Sequence, residues 1–340
     1  MRHLFLFTTC VLLGITCVAQ TVSNARFEQV GKTIKIYYDL SEKADISIYL
    51  STDGGQTYES SPLTNVSGDV GKDVSAGRDK KAVWDVLTSR ERLQGNKVCF
   101  KVRAAWQGSN RTIRVDGVSF TMVYVAGGTF TMGCTSEQGG DCYSDEKPSH
   151  RVTLSGYYIG ETEVTQQLWQ AVMGSNPSCY KGEQRPVDRV SWYDCQDFIR
   201  RLNNKTGLHF ALPTEAQWEY AARGGSKSRG YKYSGSTNIG SVAWCGGISS
   251  SQTHNVKGKQ PNELGLYDMS GNVWEWCADG DGSYSSSSQT NPTGPSSGLY
   301  RVKRGGSWDY SAWFCRVSYR FDAVPSGRFR DCGLRLVLLP

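Results

Sequence analysis

Short segments in which hydrophobic and polar residues alternate dominate the first hundred residues. Four of them are rich in β-branched and aromatic residues: TIKIYYDL (33–40), ADISIYLS (44–51), KAVWDVL (81–87) and VCFKVRA (98–104). Such alternation places every second side chain on one face of a strand. TDGG at 52–55 is typical of a hairpin turn, because glycine adopts positive φ at little cost. The pattern predicts a small antiparallel β-sandwich of immunoglobulin-like type over residues 20–105.

The hydrophobic spacing changes to three and four residues after a polar stretch at 106–117, which we assign to a linker. In the second predicted domain, 118–340, three segments with this spacing predict helices: TEVTQQLWQAVMG (162–174), SWYDCQDFIRRLNNKTG (191–207) and PTEAQWEYAARGG (213–225). Ser191 is the expected N-cap of the second helix, and Gly207 is its expected stop. Later residues show little periodicity. Side-chain hydrogen bonds, disulfides or a bound ion must therefore satisfy many backbone groups there.

The N-terminus has the pattern of a secretory signal peptide. A short basic start precedes an apolar run from Leu4 to Ile15, and Cys17 and Ala19 occupy the positions that a signal peptidase reads. We predict cleavage after Ala19, which removes residues 1–19 and exports the protein to the periplasm, the cell surface or the medium. A lipid-modified Cys17 is the alternative, although the residues before it fit lipidation poorly. No later segment is apolar enough to predict a transmembrane span.

Charge and cysteine content limit the classes of partner. The formal net charge is +6, and about +5 remains without residues 1–19, because Arg2 is the only charged residue there. This charge is spread along the chain without a Lys/Arg cluster, which argues against a nucleic-acid partner. Nine of the eleven cysteines lie outside the predicted signal, and an oxidising compartment favours disulfides among them. No CxxC pair occurs, which argues against zinc.

Seven motifs stand in a characteristic order in the second domain. They are FTMG (130–133), DEKPSHRVTLSGYYIGETEVTQQLW (145–169), PVDRVSW (186–192), LPTEAQWEYAARGG (212–225), NELGLYDMSGNVWEW (262–276), RGGSW (304–308) and GLRLV (333–337). From about Val118 to Leu338 the chain resembles the formylglycine-generating enzyme, or sulfatase-modifying factor, family. The resemblance implies one α+β domain, distantly like a C-type lectin, low in regular structure and often calcium-loaded. Active members oxidise a cysteine of an unfolded sulfatase segment to formylglycine, using copper and oxygen.

Glu275 stands between two tryptophans, in a stretch that otherwise has the composition of a core. In the family, the loop corresponding to 268–275 holds calcium. The resemblance implies side-chain ligands at Asp268 and Glu275 and backbone carbonyl ligands at Gly271 and Val273. Calcium takes about six to eight oxygen ligands, from carboxylates and carbonyls alike. We therefore predict a structural Ca²⁺ here. The alternative is a carboxylate that is capped by backbone N–H groups or by an arginine.

The copper site that the resemblance implies is incomplete. The family's oxidase chemistry needs two cysteines shortly after the GGSW stretch, where their thiolates hold Cu(I). Here RGGSWDYSAWFCRVSYRF (304–321) contains only Cys315, and the first thiol would fall near Tyr310. Copper is therefore doubtful, and whether the protein is an enzyme stays open. Cys315 and Ser307 are the candidate catalytic residues.

Two functions are consistent with the sequence. The first is an exported, non-copper member of the family that acts as a binding or scaffold protein, or as an enzyme of unassigned chemistry. The second is a formylglycine-generating oxidase with a rearranged thiol site. The second function needs a reduced cysteine to approach Cys315, and Cys277 and Cys245 are its candidates.

The same segment contains a candidate ligand surface near Trp308, Tyr310, Trp313 and Arg316. Aromatic and arginine side chains are frequent anchors of recognition sites, so the expected partner is an extended peptide or protein segment. Ordinary core packing is the alternative for Trp308. Arg304, Arg316, Arg320 and Arg335 could bind an anionic or peptide ligand. The alternative for these four arginines is ion pairing with Asp and Glu inside the domain.

The resemblance also implies a disulfide between the helix at 191–203 and the C-terminal strand. The family's cysteines at these places lie about one helical turn further on, and the bond falls here between Cys195 and Cys332. Two further pairs are expected, namely Cys134 with Cys142 and Cys277 with Cys315.

Overall fold

The computed structural model describes residues 22–40, 43–89, 93, 97–105, 108–140, 142–295 and 298–338. The chain divides into two compact units, residues 1–107 and 108–340. The predicted signal peptide at 1–19 lies outside the described residues and stays a prediction. Within the described ranges, no helix has the length and apolar character that crossing a bilayer requires.

The described residues of the first unit form two antiparallel sheets and one short helix. Its elements are β1 (Val22–Val30), β2 (Thr33–Leu40), β3 (Ala44–Ser51), β4 (Val66–Gly68), β5 (Gly71–Val74), β6 (Gly77–Asp85), α1 (Val86–Ser89) and β7 (Cys99–Ala105). One sheet has the order β1-β2-β6-β4 and the other β5-β3-β7. In β2 and β3 every second side chain enters a shared apolar cluster, as the alternation predicts. The immunoglobulin-like type of the sandwich stays a prediction.

The second unit is built mainly from three sheets. Its strands are β8 (Arg111–Val115), β9 (Val118–Val125), β10 (Gly128–Met132), β11 (His150–Leu154), β12 (Tyr157–Gly160), β13 (Phe210–Ala211), β14 (Trp274–Gly280), β15 (Gln289–Thr290), β16 (Arg301–Arg304), β17 (Arg320–Ala323), β18 (Cys332–Leu334) and β19 (Val337–Leu338). The sheet orders are β13-β19-β12-β9-β8, β17-β16-β14-β18 and β10-β11-β15. Strand β14 pairs antiparallel with β16 and parallel with β18, so the stretch that contains Glu275 lies inside a sheet.

Helices are few and short, which confirms the predicted α+β class with little helix. They are α2 (Gln166–Met173), α3 (Trp192–Thr206), α4 (Glu215–Ala222) and α5 (Ile239–Val242). Ser191 caps α3 by accepting a hydrogen bond from Asp194 N–H, and Gly207 ends it at φ 70°. Glycine adopts that left-handed conformation at little cost, so the sequence predicts the end of the helix at this residue.

Residues 111–115 depart from the sequence prediction. They form the edge strand β8, antiparallel to β9, where a linker at 106–117 was expected. Val115 is buried in the first apolar cluster of the second unit, and Ile113 packs against it. Arg111 and Arg114 make the segment polar in composition, which obscures the alternation of apolar residues.

The interior of the second unit contains an unusual number of charged side chains. Those with less than a tenth of their surface exposed include Glu146, Glu163, Asp188, Glu215, Glu219, Asp268, Glu275, Arg304, Arg316, Arg320 and Arg335. An ion leaves water at a high free-energy cost unless a partner compensates it. The partners of these side chains therefore define the candidate site.

Candidate functional site

Glu275 on β14 is fully buried and fully hydrogen-bonded. Arg335 donates from Nη2 to Oε1 at 2.7 Å and from Nε to Oε2 at 2.9 Å. The indole N–H of Trp218 donates to Oε2 at 2.6 Å. Arg335 also donates to the carbonyls of Gly160 and Tyr267, at 2.8 Å each. The capping arginine, which the sequence offered as the alternative, is thus present, and it occupies both oxygens of this predicted calcium ligand.

Asp268 is in a different state. It is 2% exposed, and its Oδ2 accepts a hydrogen bond from Lys257 N–H at 2.9 Å. Its Oδ1 is buried and has no hydrogen-bond partner among the described residues. Burial raises the pKa of Asp268 to about 6, and the negative charge of Glu275 adds to the effect. An orphaned, buried carboxylate oxygen is the kind of atom that a hard cation would satisfy.

A third carboxylate, Glu163, completes this acidic region and was missed by the sequence reasoning. It accepts from Val273 N–H at 3.0 Å and from the Asn272 side chain at 2.9 Å. Burial, then Asp268 and then Glu275 raise its pKa well above the ordinary value, while Arg335 opposes them. Three carboxylates thus share one guanidinium. The sequence contained one indication that this glutamate is buried. In the motif at 145–169, Glu163 directly precedes Val164, an apolar residue of the core.

The fit to calcium is therefore partial. Asp268 offers a free oxygen, whereas Glu275 does not. Gly271 adopts φ 82°, and a Cβ there would lie 2.4 Å from the Trp244 carbonyl oxygen, so the turn requires glycine. In the described part of the chain, no three His, Cys, Asp or Glu side chains converge as a ready metal site. A cation here would rely on Asp268 and on backbone carbonyls.

All four candidate anion-binding arginines are engaged by buried glutamates. Their partners are Glu219 for Arg304, Glu146 for Arg316, Glu215 for Arg320 and Glu275 for Arg335. The pair of Arg316 and Glu146 is bidentate, with distances of 2.7 and 2.8 Å. Ion pairing inside the domain, the alternative that the sequence left open, applies to all four.

The predicted ligand surface divides into an inner and an outer half. Trp308 is buried with its ring edge-on to Tyr180, and Arg316 is buried against Glu146. Tyr310 and Trp313 are half-buried. Of the four predicted residues, only Tyr310 and Trp313 can face a ligand. Trp308 and Arg316 are buried and do not belong to the ligand surface, contrary to the prediction.

Tyr310 and Trp313 belong to a larger group of rings that we call the aromatic patch. Its members are Tyr143, Tyr310, Trp313, Phe314, Tyr319 and Phe321. Neighbouring ring centroids lie 5.0 to 6.5 Å apart, from Phe314–Tyr319 to Tyr310–Phe321. Tyr143 is 50% exposed and Phe321 is 37% exposed, so part of the patch faces solvent. The Lys232 ammonium lies 5.6 Å from the Trp313 ring centroid.

The cysteines follow the sequence expectation at one pair. Cys134 and Cys142 form a disulfide, eight residues apart, in the loop that leads to Tyr143. Cys195 and Cys332 remain thiols, contrary to the expected bond, and both fill space in the first apolar cluster of the second unit. Cys277 and Cys315 remain thiols as well, because they lie in separate clusters.

Neither candidate catalytic residue is arranged for nucleophilic attack. Ser307 is buried and donates to Asp331 Oδ2 at 3.0 Å, which gives it an acidic partner and no imidazole base. Cys315 is fully buried. Its contact with Cys245, together with burial, raises the pKa of the Cys315 thiol well above the ordinary value. A protonated, enclosed thiol is a poor nucleophile and a poor ligand for copper.

The structure also contains a polar cavity of about 520 Å³, which the sequence did not predict. Asp279, Glu215, His150, Tyr284 and Arg320 all line it. Asp279 Oδ2 accepts from Glu215 N–H at 2.9 Å, and burial, with a contribution from Glu215, raises the pKa of Asp279 to about 7. Its carboxyl therefore changes charge near neutral pH.

Comparison with known proteins agrees with the motif order. A model of the sulfatase-modifying factor enzyme 1-like domain matches residues 114–339. The chain is 36% identical over 272 residues to Chaperone protein LppX of Paenibacillus barcinonensis, covering 65% of this chain and 90% of that protein. It is 33% identical over 184 residues to the formylglycine-generating enzyme of Streptomyces coelicolor, covering 49% of this chain and 57% of that enzyme. The chain thus spans little more than half of the enzyme's length.

Solved structures give the same picture for the fold. Treponema denticola variable protein 1 superposes with a TM-score of 0.64 at 37% identity, covering 69% of this chain and all of that one. PvdO from Pseudomonas aeruginosa superposes with a TM-score of 0.60 at 26% identity, covering 68% of this chain and 98% of that one. Both alignments span about two thirds of the chain, and they support the mixed α+β architecture.

Proposed function

We propose, because the chain belongs to the sulfatase-modifying factor enzyme 1-like family, that it is an exported binding protein whose aromatic patch holds an extended segment of another protein. The observation that carries the proposal is the identity and setting of Tyr310. Where the family's oxidase chemistry needs a thiolate, this chain has an aromatic ring that is half-buried among other rings. Tyr310 thus contributes to a binding surface at the place where the oxidases hold copper.

The chemistry of the patch favours an unfolded or extended segment with apolar side chains. Exposed rings bury a large area on contact and lose little conformational entropy, so they anchor recognition sites. Lys232 beside Trp313 adds a cation at the same place. The relative that is named a chaperone supports a protein ligand.

Removing the patch rings should weaken this binding. Tyr310→Ala and Trp313→Ala are each expected to raise the dissociation constant for a reduced, alkylated model protein by about tenfold or more, since aromatic anchors dominate such interfaces. Fluorescence anisotropy of the labelled model protein measures the constant. Tyr193→Ala is the matched control, because Tyr193 on α3 is 57% exposed and outside the patch. Equal binding by all three variants and the unmutated protein would refute the proposal.

The formylglycine-generating oxidase remains the second candidate, because Cys245 lies against Cys315 and supplies the second thiol that a rearranged site needs. Both thiols are enclosed, at 2% and 0% exposure. We expect no conversion of a cysteine-x-proline-x-arginine peptide by copper-loaded protein in oxygen. Mass spectrometry decides: replacement of the peptide's sulfur by oxygen, with loss of two hydrogens, would establish the oxidase instead.

We further propose a structural Ca²⁺ bound through Asp268 Oδ1, with backbone carbonyls of Gly271 and Val273. An ion that binds only the folded state stabilises it by about 2.7 kcal/mol at one hundred times its Kd. Chelation should therefore lower the melting temperature by roughly 5–10 °C, at about 2–4 °C per kcal/mol for a domain of this size.

The effect of Asp268→Asn on the melting temperature should have opposite signs in calcium and in chelator. In calcium the variant melts lower than the unmutated protein, since it lacks the anionic ligand. In chelator at pH 8 it melts higher, since it removes a buried carboxylate whose pKa is raised to about 6. Asp309→Asn, at an exposed residue, is the control. An unmutated protein with the same melting temperature in calcium and in chelator would show that no such ion binds.

A further inference from the structure

Cys245 and Cys315 are brought together by the fold, seventy residues apart in the chain. Cys245 follows α5, and Cys315 ends a 3₁₀ turn at Ala312–Cys315. With Tyr233 and Val242 they form a small buried cluster of their own. No other thiol of the described residues belongs to this cluster.

The two backbones that carry these cysteines are fixed to each other. Gly246 N–H donates to the Tyr310 carbonyl at 2.7 Å, and the Ser270 hydroxyl donates to the Cys315 carbonyl at 2.8 Å. A Cβ at Gly306 would lie 2.5 Å from the Cys315 Sγ, so the Gly306 backbone packs closely against this sulfur. The Cys315 sulfur is confined beside Cys245.

The contact makes the two sulfurs unequal. Contact with the Cys315 side chain lowers the pKa of Cys245, and the positive charge of Lys259 adds to this shift. The pKa of Cys315 is raised by the same contact and by burial. A lowered pKa makes the thiolate of Cys245 easier to form, and a thiolate beside a second thiol is the arrangement in which thiol–disulfide exchange proceeds.

We propose that Cys245 and Cys315 are a disulfide-forming pair that closes when the protein meets a disulfide oxidant. The Cys245 thiolate attacks one sulfur of the oxidant, which forms a mixed disulfide and releases the first oxidant thiolate. Once Cys245 is part of the mixed disulfide it carries no negative charge, so this cause of the raised pKa of Cys315 is removed. Cys315 then loses its proton and attacks the Cys245 sulfur, which releases the second oxidant thiolate. The protein loses two electrons and two hydrogens, and the oxidant disulfide becomes two thiols.

Closing this bond would join the loop after α5 to the turn that carries Trp313 and Phe314. The bond would thus fix one edge of the aromatic patch. The two sulfurs can form this bond whatever the patch binds.

Disulfide mapping tests the pair directly. The full-length protein is reduced, equilibrated with mixtures of reduced and oxidised glutathione, quenched with acid, alkylated and digested. Mass spectrometry should recover a linked peptide pair containing Cys245 and Cys315, two hydrogens lighter than the free peptides. Cys245→Ser and Cys315→Ser should each abolish the link and leave the remaining cysteine alkylated. Cys179→Ser, at a half-buried thiol outside the cluster, should leave the link intact.

Cys134 and Cys142 report within the same sample that oxidation reached the protein. If they are linked while Cys245 and Cys315 both carry the alkyl label in every mixture, the proposal is wrong. A link from Cys315 to any other cysteine overturns it as well. Because the unmutated protein decides the matter, poor folding of a serine variant does not obscure the result. Under oxidising conditions Cys245→Ser should melt about 5–10 °C below Cys179→Ser, since it lacks a cross-link that closes a long loop.

Discussion

Replacing Arg335 by methionine is expected to lower the free energy of unfolding of the second unit by about 3–5 kcal/mol. Methionine keeps much of the side-chain length but leaves Glu275 as a buried carboxylate without its counter-charge. It also removes the donors to the Gly160 and Tyr267 carbonyls. Urea denaturation followed by tryptophan fluorescence measures the change, since Trp218 and Trp274 report on this region.

Two companion variants make the result specific to the buried charge. Arg328→Met breaks an exposed pair with Asp194 and should leave the urea midpoint essentially unchanged, because solvent screens such pairs. Adding Glu275→Gln to Arg335→Met should recover part of the loss, because a neutral amide no longer needs a guanidinium. An Arg335 effect as small as that of Arg328, or no recovery in the double variant, would show that the buried charge of Glu275 does not need Arg335.

Replacing Asp279 by asparagine should change how stability depends on pH. The pKa of Asp279 is raised to about 7 in the folded protein. The folded state therefore binds this proton more tightly than the unfolded state. The contribution of Asp279 to stability is then largest below its ordinary pKa and is lost as the pH rises toward 7. Asparagine does not titrate, so the variant should gain about 3–4 kcal/mol relative to the unmutated protein between pH 4 and pH 8.

The comparison needs the difference between two proteins, because Asp188 and Asp268 also have pKa values raised to about 6. Unfolding curves of both proteins at each pH, with Asp309→Asn as the exposed control, isolate the effect of Asp279. The groups that face Asp279, chiefly Glu215 and Arg320, are the same in all three proteins. A difference that stays flat from pH 4 to pH 8 would show that Asp279 is ionised throughout.

Local features of this fold could be predicted from the sequence. Helix α3 begins after Ser191 and ends at Gly207 as expected, because caps and helical spacing depend on neighbours in the chain. The disulfide between Cys134 and Cys142 forms a local loop of the same kind. The motif order likewise led to the family, because each motif is a short stretch of sequence.

Contacts between distant residues could not be predicted in the same way. Arg335 caps Glu275 across sixty residues, and no local pattern distinguishes this arginine from the many others in the chain. Cys315 packs in a cluster with Cys245 and not with Cys277, which depends on how loops cross in space. The assignment of residues 111–115 to a linker failed for a related reason. The segment has the polar composition of a linker, and it is a strand because it pairs with β9.

The buried ion pairs also constrain how the chain reaches its native state. Arg316 meets Glu146 across 170 residues, and Arg304 meets Glu219 across 85. Such pairings give the second unit a high contact order, which slows folding because long loops must close before the contacts form. A nascent chain that ends before Arg316 would leave Glu146 without its counter-charge. The second unit is therefore expected to fold only after nearly all of it has been synthesised, whereas β1 and β2 of the first unit pair between neighbours and can form early.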